Sequence, residues 1–85
     1  MNDFVAHILV VDDDEGIRSL IKQYLNENNF LVTTSDSAEN AEEKISIIKF
    51  DLIVLGVMMT GKSGLDFIKQ NKSKIDTPII LLTAK

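Results

Sequence analysis

Eighty-five residues leave room for one small domain, and a chain of that size buries only somewhat more than ~60% of the surface its unfolded form exposes. Hydrophobic residues make up 45% and charged residues 26%, a globular balance, while a net charge of -4 and a pI near 4.7 supply no basic face for nucleic acid. There is no cysteine for a disulfide or a thiolate metal site, no apolar run near the ~20 residues of a membrane span and no signal-peptide pattern in M-N-D-F-V-A-H, so the expectation is a soluble, cytoplasmic protein without a membrane partner.

His7 to Val11, H-I-L-V-V, is a short apolar run ended by three aspartates, the pattern of a strand buried on both faces. Ile17, Leu20, Ile21, Tyr24 and Leu25 then fall at i, i+3, i+4, i+7 and i+8, one face of an amphipathic helix that the asparagines of N-E-N-N end. Phe30 to Thr34, F-L-V-T-T, reads as a second strand. Ser37 can cap a second helix with Ala38, Ala41, Ile45 and Ile48 inward. Leu52 to Leu55, L-I-V-L, is a third buried strand. Ser63 with Asp66 three residues later opens a helix carrying Leu65 and Ile68 inward. Thr77-Pro78 breaks the chain before a fourth strand, Ile79 to Leu82.

The order βαβαβαβ, with no internal linker, predicts an α/β domain over residues 1–85 with a parallel sheet and right-handed crossovers. Chemistry in such sheets sits beyond the carboxyl ends of the strands. Here those ends carry Asp12-Asp13-Asp14, Gly56 and Thr83-Ala84-Lys85, so carboxylates and a hydroxyl should converge on one rim.

Three segments, I-L-V-V-D-D-D, D-L-I-V-L-G-V-M-M-T-G-K-S-G-L-D and T-P-I-I-L-L-T-A-K, stand in one order and spacing along the whole chain. In them the sequence resembles the response-regulator receiver domain of two-component phosphorelay signalling. The resemblance implies a flavodoxin-like fold, partial here, with strand order 2-1-3-4 and an end before the family's fifth strand. It makes Asp12 and Asp13 the acidic pair that holds Mg²⁺, a hard cation suited to carboxylate oxygens. It makes Met58 a ligand through its backbone carbonyl, and Thr83 the hydroxyl that senses a phosphoryl group. Gly56 occupies the phospho-acceptor position, and Thr60 stands where such loops usually have proline. An acyl phosphate needs a carboxylate nucleophile, which glycine lacks. The expectation is a truncated, degenerate receiver that is not an enzyme, binds Mg²⁺ weakly, cannot be phosphorylated at Gly56 and acts through protein contacts. A histidine kinase partner is implied by the resemblance alone.

Gly56 to Ser63 also spells G-x-x-x-x-G-K-S, so the alternative is a nucleotide-binding P-loop in which Gly56, Gly61, Lys62 and Ser63 cradle phosphates. Against it, Val57, Met58 and Met59 stand where backbone amides must close around phosphate. A phosphatase of the haloacid-dehalogenase type would use Asp12-x-Asp14 with I-I-L-L-T, but it also needs a downstream lysine and acidic pair. Blander readings are a dipole role for Asp14 and Glu15, a solvated His7 at a strand start, and a solvated face for Lys62, Lys69, Lys72 and Lys74. Finally, Ile79 to Leu82 is an apolar strand that the expected end of the chain leaves at a sheet edge, which predicts a homodimer or swapped oligomer through it.

Overall fold

The computed structural model describes residues 4–83. Its elements are β1 His7–Val11, α1 Glu15–Glu27, β2 Leu31–Ser35, α2 Ala38–Ile45, β3 Leu52–Gly56, α3 Gly64–Asn71 and β4 Ile79–Leu82. The four strands form one parallel sheet in the order β2-β1-β3-β4, the order expected. Central β1 is buried on both faces, with Ile8 through Val11 at 3% exposure or less. That explains why its sequence is a continuous apolar run rather than an alternating one.

Strand alternation divides the core in two. Leu9, Val11, Ile53 and Leu55 face α2 and α3 and pack with Ala38, Ala41, Phe50 and Phe67. Ile8, Val10 and Val32 face α1, meeting Ile21 and Leu25. Each helix is capped by the residue just before it. Asp14 accepts the Ile17 amide at 3.0 Å, Ser37 accepts that of Asn40 at 3.0 Å, and Ser63 accepts that of Asp66 at 3.2 Å. These bonds satisfy amides that lack a partner within the helix. At the other end of α1, Asn29 takes a φ of 70° and Asn28 Nδ2 donates to the Tyr24 carbonyl at 2.8 Å, so the asparagines do end the helix.

Several side chains differ from the expected faces. Leu20 and Tyr24 are 68% and 63% exposed, because α1 lies over β1 and β2 and only its Ile17, Ile21, Leu25 line is turned to the sheet. In α3 the inward line is Gly64, Phe67, Ile68 and Asn71, and Leu65 points out. The frame is set by Gly64: a Cβ there would stand 2.2 Å from the Gly56 carbonyl oxygen, so only glycine lets α3 begin this close to the end of β3.

Candidate functional site

The carboxyl ends of β1, β3 and β4 come together at one rim. Val11 is level with Leu55 and Gly56 is level with Leu82, so Asp12 stands beside Gly56, and Thr83 stands one residue further out along the line of β4. Asp12 is held by its backbone: its amide donates to the Ser35 carbonyl at 3.1 Å, and its carbonyl accepts Arg18 Nη1 at 2.8 Å. Its side chain is nearly buried, with Oδ1 accepting the Asp14 amide at 2.8 Å. The other oxygen leans over Gly56. A Cβ built on that glycine would meet Asp12 Oδ2 at 2.7 Å and Cγ at 3.2 Å. The carboxylate of Asp12 therefore fills room that a side chain at position 56 would need.

Asp13 lies outside, exposed. Its Oδ2 accepts both the amide of Thr60 at 2.8 Å and the Thr60 hydroxyl at 2.9 Å. These two bonds, the backbone one first, hold the Asp13 carboxyl below its ordinary value. Asp13 lines an open groove with Met58, Met59, Thr60 and Ser63. The Met58 side chain is 75% exposed. Thr83 is exposed, and its hydroxyl makes no hydrogen bond to another described residue. Among the described residues, no three His, Cys, Asp or Glu side chains are grouped to hold a metal ion. The donor chemistry suits a hard cation, but with two carboxylates, each already bonded through one oxygen, it suits one only weakly.

The G-x-x-x-x-G-K-S stretch does not form a phosphate cradle. Gly56 is a strand residue within the sheet, and Gly61 turns the chain with φ of 79°. Lys62 is directed to α2, where Nζ lies 2.9 Å from Glu42 Oε2, and the Ser63 hydroxyl caps α3. The same Glu42 oxygen accepts Asn71 Nδ2 at 2.8 Å. The Asn71 bond first, then that of Lys62, lowers the Glu42 carboxyl from its ordinary value. Lys62 is thus half-buried and paired rather than part of a solvated face. His7 is corrected likewise: it is half-buried, shares a 2.6 Å hydrogen bond with Thr33 Oγ1 and sets its ring edge-on to Phe50 at 4.7 Å.

Two residues of the rim carry no local signal in the sequence. Arg18 reaches Asp12 from one turn inside α1, and Thr60 reaches Asp13 across 47 positions. The missing proline at position 60 was the one available hint.

The family described as response regulator receiver domain matches residues 8–85. The chain is 48% identical over 79 residues to protein PetR of Rhodobacter capsulatus, covering 93% of this chain and 33% of PetR. It is 44% identical over 81 residues to the transcriptional regulatory protein ResD of Bacillus subtilis, covering 92% of this chain and 32% of ResD. The chain therefore spans about a third of the curated relatives it matches. Among solved structures, the response regulator TrrA of Thermotoga maritima, in complex with Mg²⁺-BeF, superposes with a TM-score of 0.88 at 40% identity. That match covers 95% of this chain and 71% of TrrA.

Proposed function

Because the chain belongs to the response regulator receiver domain family, we propose that it is a receiver that has given up phosphoryl acceptance and works through protein contacts, not as an enzyme. One observation carries the reading. At the rim position of β3 there is no side chain, and Asp12 Oδ2 stands 2.7 Å from where a Cβ would be. An acyl phosphate requires a carboxylate attacking phosphorus from that position. Asp12, buried and with one oxygen on the Asp14 amide, is poorly placed to replace it. The direct experiment is intact-mass analysis after incubation with acetyl phosphate and Mg²⁺. The expected spectrum is that of the unmodified chain, and a hydroxylamine-labile phosphoryl group on Asp12, Asp13 or Asp14 would refute the proposal.

Asp12 and Asp13 would hold Mg²⁺, with the Met58 carbonyl as a further oxygen donor and water completing the shell. Bound there, the cation would supply positive charge at the rim. Two carboxylates place the affinity in the roughly millimolar range. Titration with Mn²⁺ should show Asp13→Asn binding much more weakly than the parent. A double Asp12→Asn, Asp13→Asn variant that binds like the parent would put the cation elsewhere.

The contact surface in this reading is β4, offered to a second copy of the chain. Ile80 and Leu81 are 54% and 41% exposed, and no described strand pairs with the outer edge of β4. At the opposite edge Lys44 Nζ donates to the Thr34 carbonyl of β2, guarding that strand with a charge. Two-fold pairing of β4 strands would join two sheets into one. Nothing about the rim favours a nucleotide: Lys62 is committed to Glu42, and Mg·ATP is expected to give no saturable binding.

A further inference from the structure

The geometry points to Thr60 as a latch that holds the loop between β3 and α3 against Asp13 without any cation. Thr60 gives both of its donors to one oxygen, the amide at 2.8 Å and the hydroxyl at 2.9 Å from Asp13 Oδ2. Asp13 belongs to the β1–α1 loop and Thr60 to the segment between Gly56 and Gly64, so the pair ties two loops of the same rim together. No other side-chain hydrogen bond joins these two loops among the described residues. The ends of the β3–α3 segment are fixed by backbone bonds, the Val57 amide to the Leu82 carbonyl at 3.1 Å and the Gly64 amide to the Val57 carbonyl at 3.0 Å. Lys62 is drawn away to Glu42. In the middle of the loop Met59 packs on the core, whereas Met58, Thr60 and Gly61 are exposed, and Thr60 supplies the hydrogen-bonded tie to the β1–α1 loop.

Charge strengthens this tie. A carboxylate accepting two donors makes shorter and stronger hydrogen bonds than a neutral acceptor. Any residue except proline could offer the amide, but the second donor requires a hydroxyl at this position. The bridge between Asp13 and the loop carrying Met58 is also the bridge that a shared divalent cation would make. With Thr60 in place, the resting position of the loop is set by the chain itself and does not depend on cation occupancy. The latch goes beyond the loss of phosphoryl acceptance and does not rest on it, and its test uses no phosphodonor, so the two fail separately.

The measurement is amide exchange by NMR on the whole 85-residue chain in the presence of a chelator. The Thr60 amide is expected to be protected without divalent cation, and added Mg²⁺ should not raise that protection. Thr60→Val removes the hydroxyl from an exposed position and should speed exchange at residue 60. Thr60→Ser returns the hydroxyl and should restore the parent rate, a rescue that a merely structural effect of the side chain would not give. Asp13→Ala should abolish protection altogether. The latch is overturned if the parent amide becomes protected only after Mg²⁺ is added, or if Thr60→Val exchanges like the parent. It is equally overturned if Thr60→Ser fails to restore the rate.

Discussion

A methyl group at position 56 would stand 2.7 Å from Asp12 Oδ2, so any side chain placed there must first turn that carboxylate aside. The displaced atom is the free end of a side chain, so a carboxylate can be built back into the site at the cost of moving a neighbour. The rim therefore contains the room for an acceptor, taken up by another carboxylate. Further from the rim, Glu42 holds α2, α3 and the preceding loop together through Asn71 and Lys62. Its folded carboxyl titrates below the ordinary value near 4.5. The stability it adds is therefore present above that value and lost as pH falls through the lowered folded pKa. With its side chain 30% exposed, Glu42→Gln should cost about 1 kcal/mol at neutral pH. Urea unfolding of parent and variant should converge in acid, whereas an unchanged gap across pH would show that the charge is not what matters. At this scale the placing of Asp12 and Gly56 at the rim was legible, because both stand at strand ends of a parallel sheet. Lys62 and Thr60 were not, since their partners are chosen by the path of a loop that carries no periodicity.

Each edge strand of the sheet has its own chemistry. β2 has Lys44 from α2 over its outer carbonyl, while β4 presents four aliphatic residues and no charge. No described strand covers the outer edge of β4, and an apolar edge of that kind invites pairing with another chain. Light scattering after size exclusion at micromolar concentrations should find a dimer. Ile80→Lys, a change at a 54% exposed position, should shift it to a folded monomer. A cooperative monomer from the parent chain would remove β4 as the contact surface. Strands were legible as elements because each is a short aliphatic or β-branched run between breakers. The start of β2 was one residue late of the expected Phe30, whose amide instead bonds the Leu25 carbonyl and closes the end of α1. Leu20, Tyr24 and Leu65 were misplaced for a shared reason. Spacing identifies the apolar side of a helix but not how much of that side a neighbour covers.

The molecule as a whole is covered unequally on its two faces. On the α2 and α3 side Leu9, Val11, Ile53, Leu55 and Phe67 are shut away from water. On the α1 side Leu52 and Val54 stay half-buried, and Ile80 is open. Among the described residues this leaves apolar surface beside the β4 edge, which would favour the proposed pairing of β4 strands. The fold was legible throughout because alternating elements, a parallel sheet and right-handed crossovers leave few arrangements. The closing of the rim, with Asp12 against Gly56 and Asp13 on Thr60, arises only when β1 and β3 lie side by side. The most direct test of a receiver rim without acceptor chemistry is labelling the parent chain and Gly56→Asp in parallel with radioactive acetyl phosphate at saturating Mg²⁺. The parent should take up no acid-stable, hydroxylamine-labile phosphate, and the variant should label slowly at position 56. Label of that kind on the parent chain would contradict the account.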